Sequence, residues 1–238
     1  VEEKINDENI CDKFILLTQN NQGYKNLLKL TSKSYFNPES IGIPKITLND
    51  LIKYNSNLLL LTGGPSSYIN KLLIKNDIIN ANTYLNKVYK FFQNRMYIEI
   101  QRHSEEKELL TESMLIDLAY KNNLPLVATN EPYFANKEMY LAHDALICIS
   151  SGKYLDDIER ERFTPDHYFK SSEEMERLFH DIPEAIENTI LIAKRCSFIV
   201  PNNNPLLPKF NGGSENTEEL ELKKQSEIGL QNRIKNEK

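Results

Sequence analysis

The chain has 238 residues and a mass of 27.7 kDa; 40% of its residues are hydrophobic and 26% are charged. This composition is typical of a globular protein and excludes global disorder. The longest aliphatic run, 58–61, is far shorter than the roughly 20 residues of a membrane-spanning helix. Residues 1–100 carry 12 Lys and Arg against 9 Asp and Glu, and residues 101–238 carry 17 against 25. Neither half therefore has the charge of a dominant nucleic-acid surface.

Short apolar runs alternate with helical patterns along the chain. Strands are predicted at four runs, 14–18, 58–61, 96–101 and 126–129. Apolar residues at helical spacing predict helices over 22–36, 48–54, 66–75, 77–92, 104–121, 136–150, 171–180, from Pro183 onward, and over 217–236. Strands that alternate with helices predict an α/β fold with a mostly parallel sheet or barrel.

The region 96–130 is the best-defined unit, because a strand, a helix and a second strand follow one another within about 35 residues. Such a βαβ unit predicts two parallel strands joined by a right-handed crossover. Ser104 is the predicted cap of the helix. Its predicted buried face holds Leu110, Met114 and Leu118, flanked by Leu115 and Ala119.

Two later helices have equally clear start signals. Ser171 and Glu174 have the spacing of a capping box. Pro183 suits the first position of the helix that follows it. The predicted buried face of that second helix holds Ile186, Ile190 and Ala193.

Composition divides the chain into three segments. The stretch 201–216 holds three prolines and a glycine pair, which is typical of a linker. We therefore expect a domain over 1–200, a linker over 201–216 and a helix over 217–238. This helix is expected to pack against a part of the protein that lies outside this chain. The first residue is Val rather than Met, and we expect the sequence to be a piece of a longer protein. Three well-separated cysteines without a CxxC are expected to be reduced thiols.

Polar residues follow three of the predicted strands, at the positions where functional groups of parallel α/β proteins lie. Gly63-Gly64, Arg102-His103 and the segment 130–133 should converge if these strands are neighbours. A hydrolytic metal site needs about three protein ligands, and only His103 and Glu131 qualify at these strand ends. We interpret His103 as a hydrogen-bonded structural group.

The following helix adds two more candidate ligands, His143 and Asp144. Adjacent residues on a helix point in different directions and rarely ligate one metal together. Their structural interpretation is therefore favoured, and His167 and His180 are assigned no chemistry. No GxSxG, P-loop or GxGxxG motif is present, and no cysteine has a signature of activation.

Interleaved Tyr, Phe and Lys residues at 84–95 allow two interpretations. An interaction module could stack single-stranded DNA on these aromatic rings. A helix with its aromatic residues in the core explains the same spacing better.

Seven segments carry a resemblance to a known family. In chain order they are NNQGYKNLLKLTSKSYF (20–36), YIEIQRHSEEKELL (97–110), LPLVATNEPYF (124–134), AHDALICISSGKYLDD (142–157), YFKSSEEMERLF (168–179), PEAIENTILIAKRC (183–196) and NPLLPKF (204–210). Together they closely resemble the PHP (polymerase and histidinol phosphatase) domain of the bacterial replicative DNA polymerase III alpha subunit, a C-family polymerase. The similarity runs over nearly the whole chain in register, which makes it more specific than any single motif.

The resemblance implies a PHP-type distorted β/α barrel, incomplete at its N-terminal end, within a much longer polymerase chain. The family's opening segment, with a His-x-His motif and further metal ligands, would precede Val1. The polymerase core with its catalytic aspartates would follow residue 238, so the helix over 217–238 would lead into that core. The complete polymerase chain would add deoxynucleotides to a primer with the help of Mg²⁺. This fragment of it is expected to hold no catalytic residue and no cofactor.

The resemblance also indicates what stands at the family's metal-ligand positions. Where metal-binding members have His, Cys and an Asp-x-His pair, this sequence has Lys13, Gly64, Glu131 and Tyr133. Because changes in supporting groups alone cost ~10–100-fold in metal affinity, we expect no metal centre. The candidate residual cleft residues are His103, Glu131, His143 and Asp144. The alternative is an active metal-dependent phosphoesterase or 3′–5′ exonuclease that uses these four with upstream residues.

A degenerate cleft of this kind implies a structural role. We expect a scaffold that supports the polymerase core and docks the proofreading exonuclease subunit. Other replicase subunits, and primer-template DNA through the parent chain, are the further expected partners. Lys13 is hypothesised to replace metal charge by pairing with acidic residues of the former cluster. The expected location is the cytoplasm, without a membrane partner.

Overall fold

The computed structural model describes residues 1–5, 8–36, 43–202, 204–205, 207, 210 and 217–236, with only the backbone for 2–5 and 8–10. Two compact units are formed, Val1–Val200 and Pro201–Lys238. The strands in the described ranges are β1 (Glu2–Ile5), β2 (Glu8–Cys11), β3 (Ile15–Thr18), β4 (Leu58–Leu61), β5 (Met96–Ile100) and β6 (Leu126–Ala128). The α-helices there are α1 (Asn21–Phe36), α2 (Leu48–Lys53), α3 (Tyr68–Ile74), α4 (Ile78–Phe92), α5 (Glu106–Lys121), α6 (Tyr140–Ser151), α7 (Ser172–Leu178), α8 (Pro183–Arg195) and α9 (Glu218–Asn236).

The central sheet has four strands in the order β3-β4-β5-β6. β4, β5 and β6 are parallel, and β3 pairs antiparallel with β4. The α/β class and the parallel pair of the βαβ unit are thereby confirmed, whereas the described residues form an open sheet and not a closed barrel. The antiparallel hairpin of β1 and β2 was not predicted, because the charged sequence at 2–11 lacks an alternating apolar pattern.

The sheet is buried on both faces, which explains the continuous apolar run of β4. Leu58 and Leu60 belong to the larger core layer, and Leu59 and Leu61 pack on the opposite face with Ile192 of α8. All four leucines are at most 5% exposed. Parallel strands covered on both faces read as unbroken hydrophobic runs, and each buried leucine contributes roughly 1.5–3 kcal/mol of transfer free energy.

Helix α5 differs from its prediction in its cap and in its buried face. Ser104 is not the cap; it precedes the cap residue Glu105 and has a positive φ of 60°. Leu110 is 53% exposed, whereas Leu118 and the flanking Leu115 and Ala119 are buried as predicted. Residues four apart are rotated by about 40° from one another around a helix of 3.6 residues per turn. The first residue of the predicted series, Leu110, is therefore turned away from the core.

Helix α8 begins at Pro183 as predicted, but of its predicted face only Ile186 packs against the core. Ala185 and Ile192 are buried, whereas Ile190 is 57% exposed and Ala193 is also exposed. Asn188 lies between the buried pair and donates to the carbonyl of Leu126 in β6 (2.8 Å). This polar contact fixes the register, and a pattern of apolar residues alone could not reveal it.

Other predicted features have clear outcomes. The capping box of Ser171 and Glu174 is present at α7. In α4, Tyr84 and Phe92 are almost fully buried, so the core interpretation of 84–95 is confirmed. Much of the predicted linker 201–216 lies outside the described residues. Every helix in the described part of the chain is too short or too polar to cross a lipid bilayer.

Candidate functional site

One buried carboxylate ties together the ends of the three parallel strands. Glu99 of β5 accepts from the backbone N–H of Gly63 after β4 (2.9 Å) and from the hydroxyl of Thr129 after β6 (2.6 Å). The side chain is 2% exposed, and burial raises the pKa of this carboxyl above its ordinary value. The predicted convergence of the strand ends is confirmed, although the residue that holds them together was not singled out from the sequence.

The glycine pair after β4 has no room for side chains. Gly63 has a φ of 88°, and a Cβ there would lie 1.8 Å from the carbonyl oxygen of Lys13. Gly64 has a φ of 62°, and its Cβ would lie 2.7 Å from Oε1 of Gln101. Positive φ and close backbone approach both require glycine. A cysteine at residue 64, the ligand type expected of metal-binding members, would adopt a left-handed backbone conformation and displace the side chain of Gln101.

His103 is held in a buried hydrogen-bonded pair with Glu108 of α5. Nδ1 of His103 lies 2.8 Å from Oε1 of Glu108, and the two side chains are 1% and 3% exposed. Oε2 of Glu108 accepts from the backbone N–H groups of His103 (2.6 Å) and Glu105 (3.2 Å). Burial alone would raise the pKa of Glu108, but these hydrogen bonds from His103 and Glu105 outweigh it and hold the pKa below the ordinary value.

The second ring nitrogen of His103 is engaged as well. Nε2 accepts from the backbone N–H of Glu131 (3.2 Å) and lies 3.0 Å from Oδ1 of Asn130. Both nitrogens therefore contact protein groups, as in the structural interpretation of this residue.

His167, which was assigned no chemistry, lies in the same cluster. Its ring stacks on that of His103 with centroids 4.1 Å apart, and it is 2% exposed. Its Nε2 lies 3.4 Å from Oε1 of Glu105. Burial, and then the neighbouring His103, lower the pKa of His167 to about 4. The imidazole is therefore neutral near pH 7.

A long-range bridge carries His167 to this position. Phe134 and Tyr168 form an isolated parallel bridge, and the backbone N–H of Tyr133 donates to the carbonyl of His167 (2.9 Å). The bridge joins the loop after β6 to the loop before α7. No periodicity or motif in the sequence signals such a pairing, so the position of His167 could not be inferred from it.

A small cleft of about 140 Å³ lies beside this cluster. Its lining includes Lys13, Glu105, Glu131, Tyr133, Glu161 and His167. The hydroxyl of Tyr133 donates to Oε1 of Glu131 (2.8 Å), and burial followed by this carboxylate raises the pKa of Tyr133. Three of the four former ligand positions, Lys13, Glu131 and Tyr133, thus share one cleft, and the glycine pair that includes the fourth, Gly64, forms its edge.

Lys13 does not make the direct ion pair that was hypothesised. Its side chain is exposed and lines the cleft together with Glu105 and Glu131. Within the part of the chain that the structure describes, its ammonium has no salt-bridge partner. Any compensation of the cleft carboxylates by Lys13 therefore acts at longer range.

His143 and Asp144 point in different directions. The ring of His143 lies 5.7 Å from that of Tyr133 and 5.3 Å from that of Phe134. Asp144 turns toward Arg160 and binds Nη2 of its guanidinium at 2.7 Å, which lowers the pKa of this carboxyl. His143 therefore packs against the aromatic rings of Tyr133 and Phe134, while Asp144 holds the loop that contains Arg160 through an ion pair.

Arg102, the remaining strand-end candidate, is structural. Its guanidinium binds Glu112 (2.6 Å) and Asp181 (2.7 Å), and it lies 4.7 Å from the ring centroid of Phe179. The hydrogen bond from Arg102 lowers the pKa of Asp181 to about 2. This residue connects α5 to the turn before α8 and does not reach the cleft lining.

The residues of the cleft do not fit a multinuclear metal centre. Nδ1 of His103 is bound to the carboxylate of Glu108 and its Nε2 accepts from a backbone N–H, while the carboxylates of Glu99 and Glu108 accept from protein donors. Gly64 offers no ligand atom, and the carboxylate of Glu131 is shared with Tyr133. Across the described ranges, no group of three or more His, Cys, Asp and Glu side chains is arranged around a common point that could hold a metal ion.

Comparison with known proteins places this architecture in a family. Residues 3–103 match the PHP domain. This part of the chain is therefore similar in sequence to a PHP domain. The DNA polymerase III subunit alpha of Caulobacter vibrioides is 40% identical to it over 220 residues, which cover 92% of this chain and 19% of that protein.

Two further proteins that are similar to this chain are also named DNA polymerase III subunit alpha. DNA polymerase III subunit alpha of Haemophilus influenzae is 36% identical over 220 residues, 92% of this chain and 19% of that protein. The corresponding subunit of Borreliella burgdorferi is 36% identical over 230 residues, 93% of this chain and 20% of that protein. The resemblance drawn from the seven segments is confirmed. The chain spans about a fifth of the length of the curated relatives it matches.

Proposed function

We propose that this chain is the PHP region of a replicative DNA polymerase alpha subunit and that it serves there as a metal-free scaffold. The observation that carries the proposal is the use of the strand-end side chains: Glu99, His103 and Glu108 bind protein donors and one another. Groups that bind each other stabilise a domain, whereas a hydrolytic site keeps ligand atoms directed at a common point.

The proposed setting is the cytoplasmic replicase. The parent polymerase, with Mg²⁺ in its own active site, would extend primer-template DNA, and the open sheet would be part of a PHP-type distorted β/α barrel that supports this core. Relatives named DNA polymerase III subunit alpha support this proposal. Docking of the proofreading exonuclease subunit and contact with other replicase subunits complete it.

Metal analysis of the alpha subunit that contains this chain tests the scaffold. The protein would be purified after growth with zinc and manganese, dialysed, and assayed for bound metal and for hydrolysis of bis-p-nitrophenyl phosphate. We expect substoichiometric metal, no hydrolysis above background, and no change in either quantity in the variant Glu131→Gln. Stoichiometric zinc or manganese with hydrolysis that Glu131→Gln abolishes would establish the alternative, an active phosphoesterase or 3′–5′ exonuclease.

A binding measurement tests the docking role separately. The purified alpha subunit and the proofreading exonuclease subunit of the same organism would be mixed and analysed by sedimentation velocity. We expect a complex that is lost when residues 1–200 are deleted, with primer extension by the remaining core also impaired. A complex of unchanged affinity after the deletion would contradict docking on the PHP region.

Lys13 tests the electrostatic part of the proposal. Removal of its positive charge in Lys13→Ala would leave Glu105 and Glu131 uncompensated in the cleft, so we expect a slightly lower melting temperature. The exposed Lys153→Ala, a lysine that does not line the cleft, is the matched control. An unchanged melting temperature of Lys13→Ala would show that this lysine does not replace metal charge.

A further inference from the structure

A second charged region lies on the helical side of the first unit, away from the strand ends. We define the lysine face as Lys25, Lys29 and Lys33 of α1 together with Lys53 at the end of α2. All four are exposed. The ammonium groups of Lys29, Lys33 and Lys53 lie 5.6, 6.0 and 5.6 Å from the ring centroid of Tyr54. Three cations from two helices thus converge on one aromatic ring.

Among the described residues, little of the positive charge of this face is compensated. Lys33 binds Asp50 at 2.7 Å; within the described parts of the chain, the salt bridges involve neither Lys25, Lys29 nor Lys53. Across the described residues of α1 and α2, Asp50 is the single acidic side chain. Clustered like charges that are not neutralised within a protein are typical of surfaces that bind a polyanion.

The spacing of the lysines gives the face its shape. Lys25, Lys29 and Lys33 are four residues apart, so they form a row about 12 Å long on one side of α1, at 1.5 Å per residue. Phe36, three residues after Lys33, falls within the same arc of about 80° at 3.6 residues per turn. This phenylalanine ends α1 and is 85% exposed. A row of cations therefore ends in an exposed aromatic ring.

We propose that the lysine face with Phe36 binds single-stranded DNA. Lysines that follow a strand contact its phosphates, and an exposed ring stacks a base irrespective of sequence; this combination is typical of single-strand binding surfaces. Double-stranded DNA offers phosphates but no free base to Phe36. The proposal uses a different surface from the cleft and does not depend on its metal content, so either can fail without the other.

Fluorescence anisotropy with labelled dT20 and with a 20-base-pair duplex tests the proposal on the 238-residue chain. The variant Lys25→Gln/Lys29→Gln/Lys53→Gln removes three cations and leaves the Lys33–Asp50 pair intact. Since each phosphate contact on a single strand contributes about 0.7 to the slope of log K against log salt, we expect that slope to fall by about 2. The control Lys121→Gln/Lys153→Gln/Lys194→Gln changes the net charge equally at other exposed sites and should retain the wild-type slope.

The aromatic group has its own test. Phe36→Ala should weaken dT20 binding by about fivefold or more and should leave duplex binding nearly unchanged, with circular dichroism as the check on folding. Three outcomes overturn the proposal: no salt-dependent binding of dT20 by the wild-type chain, equal slopes for the triple variant and wild type, or duplex binding that is tighter and insensitive to Phe36. Competition by polyglutamate as effective as that by dT20 would assign the face to an acidic protein instead.

Discussion

The cleft at the strand ends and the lysine face both concentrate charge, but they organise it in opposite ways. Beside the cleft, Glu99, His103 and Glu108 are at most 4% exposed, and each makes two or more hydrogen bonds within the protein. On the lysine face, Lys25, Lys29 and Lys53 are exposed, and Asp50 is the nearby carboxylate. The buried ionisable groups are all engaged in hydrogen bonds within the fold, whereas the exposed lysines remain available to bind a ligand.

The two regions differ because water screens the exposed charges and is excluded from the buried ones. A buried charge that loses its partner is strongly destabilising, so the cleft groups must satisfy one another before they can serve any ligand. Like charges in water repel by only about 1 kcal/mol at 4 Å, so lysines can accumulate on a helix surface at little cost. The contrast predicts large stability effects in the cleft and small ones on the lysine face.

Loss of the Glu108 carboxylate should have the largest effect. Glu108→Ala leaves His103 buried without its partner and two backbone N–H groups without an acceptor, so we expect a loss of about 3–5 kcal/mol in the free energy of unfolding. Urea denaturation measures this change. The exposed neighbour Glu106→Ala is the control, with a change within about 0.5 kcal/mol. Equal effects of the two substitutions would contradict the buried pair.

His167 should make the stability pH-dependent. Its pKa is about 4 in the folded chain and 6.5 ordinarily, so between these values the unfolded chain binds the extra proton and stability falls as pH decreases. The shift corresponds to a loss of up to about 3 kcal/mol from pH 7 to pH 4. His167→Phe keeps a stacked ring and should remove this part of the loss.

The exposed His180 supplies the control for that measurement. His180→Phe is the matched substitution at an exposed ring outside the cluster, whose Nδ1 lies 3.1 Å from the carbonyl of Arg177. Parallel pH profiles for wild type and His167→Phe would mean that His167 titrates alike in the folded and unfolded chains.

Glu99→Gln should have an intermediate effect. The amide can replace only one of the acceptor oxygens that bind Gly63 and Thr129, and an unsatisfied buried group costs about 1–3 kcal/mol. Because the pKa of Glu99 is raised in the fold, the wild-type carboxyl contributes most stability below its ordinary pKa and loses that contribution as pH rises through the folded pKa. The cost of the substitution should therefore shrink with rising pH, whereas the exposed Glu187→Gln should cost nothing at any pH.

The fold was predictable wherever one periodic signal dominated. The four-leucine run of β4 and the strand–helix–strand unit at 96–130 follow from local pattern, and the structure contains both. Leu110 of α5 and Ile190 of α8 were wrongly predicted to be buried, because burial depends on where a helix lies on the sheet. Asn188, for example, sets the register of α8 through a contact with Leu126.

The candidate site was predictable only in part. The convergence of the strand ends follows from the rule for parallel sheets, and the former ligand positions at Lys13 and Gly64 came from family resemblance. His167 enters the cleft through the bridge of Phe134 and Tyr168, and Glu99 looks like any residue of a strand. Both are defined by tertiary contacts between segments distant in sequence, which no local pattern records.

The smallest effect is expected on the lysine face. Lys29→Gln relieves repulsion among the cations around Tyr54 but also removes one cation–ring contact, so the two changes oppose each other and the net effect should stay within about 0.5 kcal/mol. Charge repulsion extends over about 30 Å at 0.01 M salt and about 3 Å at 1 M. The variant should therefore be slightly more stable than wild type at low salt, and at most equal to it at high salt. Lys121→Gln, at an exposed lysine outside this cluster, should show no such salt dependence. An effect of Lys29→Gln that is the same at low and high salt would mean that the face is already neutralised within the chain and has no charge to offer a DNA strand.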